Sequence, residues 1–199
     1  MRKAGVTDYE AFVKEVLPVV GDKPISFEVI GDDFEEMKKQ ATKLSGYGEN
    51  IYVKIPIMNT KGESSVPLVG ELVKNGVKVN VTAILTLKQV EELAKVMTYG
   101  VPSVVSVFAG RMADTGIDPL PVMKQAHEIL KGIKGAELLW ASPRELLNIY
   151  HAEEAGCEII TVLPDILKKL NLVGYDLHTY SLNTVKMFYN DAVSSGLKL

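Results

Sequence analysis

The sequence contains few of the residues on which several classes of function depend. Among its 199 residues there are one cysteine and three histidines, so an intramolecular disulfide is excluded. His127, His151 and His178 are far apart in the sequence and do not form a zinc-ligand cluster. We therefore expect no metal site, and the single Cys157 fits a protein of the reducing cytoplasm.

Long apolar runs and long basic runs are also lacking. No apolar run approaches the ~20 residues that cross a bilayer, and residues 1–12 lack the apolar stretch of a signal peptide. Lysine and arginine number 22 against 25 acidic residues, which gives a net charge of -3. We therefore expect no membrane insertion and no nucleic-acid partner, and any bound anion must be small and met by specific residues.

What the chain does contain is a regular alternation of strand-like and helix-like segments. Six apolar, β-branched segments predict strands, at Ile25–Ile30, Ile51–Ile57, Val77–Leu85, Ser103–Ala109, Leu138–Ser142 and Ile159–Leu163. Helical spacing lies between them, and Thr86 and Ser181 are candidate N-caps. Strict alternation indicates parallel strands joined by right-handed crossovers. We predict one domain over residues 1–199, with a helical tail at 176–199.

Polar residues distinguish the two parallel folds that fit this alternation, an open doubly wound sheet and a barrel. No glycine-rich nucleotide fingerprint follows a strand, so the usual motifs of nucleotide binding in an open sheet are missing. Polar side chains interrupt most of the strands toward their C-terminal halves, at Glu28, Lys54, Asn80 with Thr82, Ser106 and Ser142. Because a barrel collects its active site from many strand ends, we predict an α/β fold of the (β/α)8 TIM-barrel type.

Lys54 is a candidate nucleophile because apolar neighbours flank it within Ile51–Pro56. An amine that loses hydration is more often uncharged and can attack a carbonyl to form a Schiff base. If the strand of Glu28 is buried on both faces, desolvation would raise the pKa of this carboxyl toward neutrality, the range useful for a proton shuttle. The alternatives are that Lys54 reaches solvent and that Glu28 is its salt-bridge partner.

Five further residues are candidates to bind substrate or water. Asn80 and Thr82 lie two residues apart on one face of a strand and could orient a water or a hydroxyl group. Arg111 and Arg144 each follow a strand, so that with the Ser142 hydroxyl they could clamp one phosphate. The alternatives are an ordinary structural strand pair and two solvated loop arginines.

In order and spacing, these residues resemble the transaldolase family. Five short motifs carry the resemblance, at Ser26–Val29, Val53–Pro56, Asn80–Thr82, Ser106–Arg111 and Ala141–Arg144. The family is a (β/α)8 barrel that moves a dihydroxyacetone unit between sugar phosphates through a lysine Schiff base. The resemblance implies that this chain is such an enzyme, that its substrates are sugar phosphates, and that it requires no cofactor.

The resemblance also implies a role for each matching residue. Lys54 would form the Schiff base, while Glu28 and Thr82 would handle the catalytic water and the proton transfers. The implied substrate-binding residues hold sugar hydroxyls, flank the site or clamp the phosphate: Asn80, Ser106, Phe108, Arg111, Ser142 and Arg144. At two of these positions the fructose-6-phosphate aldolase branch of the family has Gln and Tyr. This sequence has Glu28 and Phe108 there and resembles the transaldolases. A benzyl ring cannot protonate the bound enamine, so transfer to an acceptor aldehyde is favoured over simple cleavage.

Two other readings stay open, a fructose-6-phosphate aldolase-like lyase and a non-catalytic remnant that binds sugar phosphates. The family begins with a strand bearing a catalytic Asp and a second ending in a Thr-Thr-Asn-Pro type motif, and neither has a counterpart here. We therefore expect about six of the eight strands. Either the reading frame begins before Met1, or this chain is a shortened relative of the family. The segment 176–199 resembles the helix by which small family members pack or associate, so we expect a homo-oligomer; packing on its own barrel is the alternative.

Overall fold

The computed structural model describes residues 5–196 of the chain. Two of the sequence predictions concern residues outside this range. They are the reading frame that begins before Met1 and the last part of the predicted tail, residues 197–199. The chain divides into two compact units, Met1–Thr161 and Val162–Leu199. The first unit contains the whole sheet.

Six parallel strands form that sheet, and each pairs with the next strand along the chain. The strands are β1 Ile25–Glu28, β2 Ile51–Pro56, β3 Val79–Ile84, β4 Ser103–Val107, β5 Ala136–Trp140 and β6 Ile159–Ile160. Every predicted strand is present, and the sheet curls as six strands of a TIM-barrel-type fold, which confirms the predicted fold class. Within residues 5–196 the edge strands β1 and β6 do not pair with each other.

Helices connect the strands of the first unit and cover one side of the sheet. They are α1 Tyr9–Val20, α2 Phe34–Ser45, α3 Val66–Lys74, α4 Leu87–Ala94, α5 Ala109–Asp114, α6 Pro119–Leu130 and α7 Leu147–Glu154. Thr86 caps α4 as predicted, in a capping box with Gln89. The helix α5 was not predicted, because the sequence reading carried the fourth strand on to Ala109, whereas β4 ends at Val107.

The two faces of the sheet differ because side chains alternate along each strand. We call the face under the helices the outer face; its residues form the main core with the helices and include Phe27, Ile51, Val53, Ile55, Val79, Val81, Val105, Val107, Leu138 and Trp140. We call the opposite face the inner face; it comprises Ser26, Glu28, Tyr52, Lys54, Asn80, Thr82, Val104, Ser106 and Leu139. A separate small apolar cluster lies on the inner face, around Val104, Leu139 and Ala141.

The second unit contains α8 Pro164–Leu167, a 3-10 helix at Lys168–Leu172, and the long helix α9 Leu177–Ser195. The helix α9 begins after Asp176, whose side chain accepts a hydrogen bond from the Thr179 backbone N–H. The predicted cap at Ser181 is therefore wrong, since Ser181 lies inside the helix. None of the described residues of α9 is buried, and no helix within residues 5–196 is long and apolar enough to cross a membrane.

Candidate active site

Lys54 lies at the centre of a row of polar residues on the inner face. Strand register places Glu28 of β1 beside Lys54, and Lys54 beside Asn80 of β3. The lysine side chain is half-buried. Among the described residues, the Lys54 ammonium has no hydrogen bond and no ion pair, so the amine is available to a ligand.

Glu28 differs from the sequence expectation. It lies at the end of the edge strand β1 and is exposed, because no strand among the described residues covers that side of β1. The prediction that Glu28 is buried is therefore wrong. The alternative that Glu28 is the salt-bridge partner of Lys54 is not borne out either, because no ion pair joins the two side chains within residues 5–196. Glu28 also lines a small cavity of about 170 Å³ together with Tyr9. Burial is the main cause that raises the pKa of Tyr9.

Asn80 joins three strands through its side chain. Its Nδ2 donates to Ser26 Oγ at 2.9 Å, and its Oδ1 accepts from Ser106 Oγ at 2.7 Å. Both Asn80 and Ser106 are buried, and these charge-neutral hydrogen bonds fix the amide orientation. Sequence reasoning did not single out Ser26 as a site residue; its position two residues before Glu28, at the same strand parity, is the signal that it shares the inner face.

Thr82 is buried, and its hydroxyl has no hydrogen-bond partner among the described residues. The next residue, Ala83, has a φ of 62°, and the register between β3 and β4 shifts between Val81 and Ile84. This irregularity re-aims the end of the strand, as β-bulges do next to active sites. A buried hydroxyl without a partner costs free energy, so this one indicates a place for a water or ligand atom.

The turn after β4 packs tightly on the segment after β5. A Cβ at Gly110 would lie 1.5 Å from the Ser142 carbonyl oxygen, so only glycine fits there. The Gly110 backbone N–H donates to Ala141 O at 3.3 Å. Ser142 itself has a φ of 62°, an unusual conformation for a residue with a side chain. This contact sets the position of α5, and with it Arg111, relative to Ser142 and Arg144.

The structure brings Arg111 and Arg144 together at one cavity of about 590 Å³. The Arg111 guanidinium lies 5.2 Å from the centre of the Phe108 ring, an attractive cation–π distance. Arg144 forms an ion pair with Asp114 at the end of α5. The Asn148 side-chain oxygen accepts hydrogen bonds from the backbone N–H groups of Arg144 and Glu145, at 2.7 and 3.2 Å. Asp114 and Asn148 were not predicted, since no sequence pattern marked them.

A further contact ties together the loops that follow β1 and β2. The Asp32 carboxylate accepts hydrogen bonds from the Thr60 backbone N–H at 2.7 Å and from its hydroxyl at 2.6 Å. These hydrogen bonds, the hydroxyl's above all, lower the pKa of Asp32. Among residues 5–196 no group of three or more His, Cys, Asp or Glu side chains is placed to hold a metal ion.

The chain matches the family model described as Transaldolase/Fructose-6-phosphate aldolase over residues 9–196. It is 35% identical over 165 residues to "Probable transaldolase 2" of Listeria monocytogenes, covering 81% of this chain and 71% of that protein. It is 36% identical over 172 residues to "Probable transaldolase" of Methanococcus maripaludis, with coverages of 85% and 75%. A Thermoanaerobacter "Probable transaldolase" is 34% identical over 194 residues, with coverages of 96% and 83%.

Among solved structures, the chain is similar in fold to a mandelate oxidase variant with a monooxide FMN adduct. The TM-score is 0.55 at 16% sequence identity, and the match covers 78% of this chain and 51% of the oxidase. At this identity the likeness concerns the fold alone.

Proposed function

We propose that this chain, which belongs to the transaldolase/fructose-6-phosphate aldolase family, transfers a dihydroxyacetone unit between sugar phosphates. The reaction proceeds through a Schiff base on Lys54. The donor is a ketose phosphate and the acceptor is an aldose phosphate.

The observation that carries this proposal is the position of Lys54. Lys54 is half-buried at the centre of the inner face, between Glu28 and Asn80 in strand register. Within residues 5–196 no carboxylate pairs with it, so nothing holds it as a structural cation. A lysine amine without a carboxylate partner is free to attack the carbonyl carbon of a ligand.

The chemistry follows from an amine at that place. The Lys54 nitrogen attacks the ketose carbonyl carbon to give a carbinolamine, and loss of water gives the protonated imine. The protonated imine accepts the electron pair of the bond between its α and β carbons as that bond breaks, which gives an enamine. The hydroxyl group on the β carbon loses its proton at the same time, and the fragment that carries it leaves as an aldehyde. The resulting enamine adds to the acceptor aldehyde, and water releases the product and the free amine.

Proton transfers in these steps are assigned to Thr82 and Glu28. The buried Thr82 hydroxyl has no partner among the described residues, which leaves it able to hold the water that is lost and later regained. Glu28 is exposed beside Lys54 in register and can exchange protons with solvent. Asn80 and Ser106, already joined by a hydrogen bond, are assigned to the sugar hydroxyls.

The phosphate is assigned to Arg111, Ser142 and Arg144. Both guanidinium groups line one cavity, and arginine binds phosphate through pairs of N–H groups. Phe108 lies under the Arg111 guanidinium. Its ring carries no acidic proton, which supports transfer over a lyase reaction because the enamine cannot be protonated from this position.

Self-association is part of the proposal. The helix α9 exposes large apolar side chains, including Leu177, Val185, Phe188 and Tyr189. Such a surface is expected to be covered in solution, which supports the homo-oligomer that the family resemblance implies. Light scattering of the full chain tests this, and a monodisperse monomer would contradict it.

The test of the chemistry is reductive trapping. Borohydride is added to the full chain with fructose 6-phosphate, and the labelled lysine is located by peptide mass mapping. We expect a single adduct on Lys54, with Lys78 as an internal comparison because it also lies near the sheet, bonded to the Glu49 carbonyl oxygen. Label on another lysine, or no label in protein shown to be folded, would overturn the proposal. Turnover that requires an acceptor aldehyde then separates transfer from lyase activity.

A further inference from the structure

We propose that Asp114 is a positioning residue for phosphate recognition, acting through Arg144. It holds one edge of the Arg144 guanidinium so that the remaining N–H groups are presented to the phosphate of the substrate. This inference rests on the proposed function only in taking Arg144 as a phosphate ligand. It assigns a role to a residue that neither the sequence motifs nor the proposed reaction uses.

The contact between the two side chains is bidentate. Arg144 Nε donates to Asp114 Oδ1 at 3.0 Å, and Arg144 Nη2 donates to Asp114 Oδ2. A guanidinium group has five N–H donors arranged along two edges that can each engage an oxyanion. Asp114 occupies the edge formed by Nε and Nη2. Among the described residues Arg144 Nη1 has no hydrogen-bond partner, so the second edge is available to a ligand.

The backbones that carry the pair are fixed by separate contacts. Asn148 accepts a hydrogen bond from the Arg144 backbone N–H at 2.7 Å, and Asn148 is itself buried. Asp114 is the last residue of α5, whose start is pressed against the Ser142 carbonyl at Gly110. The conformation of the long Arg144 side chain is not set by these backbone contacts, and the two hydrogen bonds to the Asp114 carboxylate restrict it before a ligand arrives.

The charges around the cavity act on a bound phosphate in two opposite ways. Two arginines and one carboxylate, Asp114, line the cavity. A carboxylate near a phosphate repels it, so Asp114 weakens binding unless it improves the geometry of Arg144 by more. Because both of its oxygens are already bonded to Arg144, its charge is compensated by contact. We therefore expect the orienting effect to exceed the repulsion.

The experiment is a double-mutant cycle on the full chain, with calorimetric binding of inorganic phosphate and the KM for fructose 6-phosphate as readouts. We expect Asp114→Ala to weaken phosphate binding about fivefold and Asp114→Asn, which keeps one acceptor, to weaken it less. Arg144→Ala alone is expected to weaken it about tenfold or more. In the Arg144→Ala background, Asp114→Ala should cause no further loss, and a small gain is consistent because an unpaired carboxylate is removed.

A matched control is available on the same unit. Lys124 and Glu154 form an ion pair at 2.7 Å whose side chains are 48% and 55% exposed, against 47% and 52% for Arg144 and Asp114. Glu154→Ala is expected to leave phosphate binding and KM unchanged, since an exposed ion pair by itself contributes little. Thermal unfolding of each variant excludes a loss caused by unfolding.

Outcomes that contradict the inference are separate from those that contradict the reaction. Unchanged or tighter phosphate binding in Asp114→Ala overturns it, as does an equal loss in the presence and absence of Arg144. Trapping of unphosphorylated dihydroxyacetone on Lys54 should be unaffected by Asp114→Ala, because no phosphate is involved. Failure of trapping in the unmutated chain would reject the proposed function while leaving the phosphate cycle to be judged by its own result.

Discussion

The outer and inner faces of the sheet are built from alternate residues of the same strands, yet their side chains are packed in opposite ways. On the outer face Val53 and Ile55 are fully enclosed by the helices. Between them Lys54 points to the inner face, half-buried and without a partner among the described residues. One strand thus supplies packing free energy and a reactive group through neighbouring residues, because the side-chain period is two.

This separation means that substitutions on the two faces should change different quantities. Outer-face changes are expected to alter the free energy of unfolding and leave the intrinsic chemistry alone. On the inner face, changes at Lys54 and Glu28 are expected to alter adduct formation or turnover with little change in stability, since neither side chain is fully buried.

The largest expected effect is that of Lys54→Met. Methionine keeps most of the apolar stem but has no amine, so no Schiff base can form, and transfer should fall by at least about 10⁴-fold. Circular dichroism and thermal unfolding should match the unmutated chain. Transfer from fructose 6-phosphate to erythrose 4-phosphate is the assay, and measurable retention of borohydride-dependent labelling would place the nucleophile elsewhere.

Substitution of the next residue, Ile55, is expected to lower stability and leave the chemistry at Lys54 unchanged. Ile55 is 0% exposed in the outer-face core, so Ile55→Ala removes buried methyl groups and leaves a cavity. The free energy of unfolding should fall by about 2–5 kcal/mol. Urea denaturation measures this, with trapping on Lys54 as the second readout. A variant that stays equally stable but loses trapping would show that the faces are not separable.

A third substitution is expected to weaken chemistry without weakening the fold. In Thr82→Val the β-branched shape is kept while the buried hydroxyl, which lacks a partner among the described residues, is removed. Stability should be unchanged or slightly higher because no hydrogen bond is lost. Transfer should fall by about 10²-fold, the lower end for a group that assists proton transfer. Reduced stability with normal transfer would indicate a purely structural threonine.

Much of this arrangement could be read from the sequence because it depends on local periodicity. Apolar, β-branched segments predicted all six strands, and strand parity was enough to place Asn80 and Thr82 on one face. The strand β2 ends at Pro56, one residue before the predicted end at Ile57, and proline has no N–H group to donate to a neighbouring strand. The family motifs added the order in which the site residues occur.

The remainder depends on tertiary contacts that leave little local signal. The apolar residues Val107, Phe108 and Ala109 are equally compatible with a longer strand, and the close approach of Gly110 to Ser142 at the start of α5 is a tertiary contact that the local sequence does not show. Asp176 and Ser181 are both good helix caps, so composition alone did not select between them. Glu28 is exposed because its strand is at the edge of the sheet, a property of the topology rather than of its neighbours in sequence.

The smallest expected effect on chemistry comes from modification of the single cysteine, Cys157. It packs against the outer-face core, and burial, with a smaller effect of the Glu158 charge, raises the pKa of its thiol to about 12. The thiolate is the reactive form, so at pH 8 the folded protein should react with a disulfide reagent roughly 10²- to 10³-fold more slowly than the urea-unfolded chain.

The pH dependence of stability has a defined sign for the same thiol. Because the pKa of Cys157 is higher in the folded chain than its ordinary value of 9.0, the stabilisation by the protonated form is fully present below about pH 9. It is lost as the pH rises toward 12. Cys157→Ser should flatten this dependence and leave trapping on Lys54 unchanged, because the thiol lies on the opposite side of the sheet from the amine. Rapid modification of Cys157 in the folded chain at pH 8 would contradict this prediction, because it would show that reagents reach the outer-face core. Loss of trapping on Lys54 after modification would also contradict it, because it would show that a change on the outer face alters the inner face.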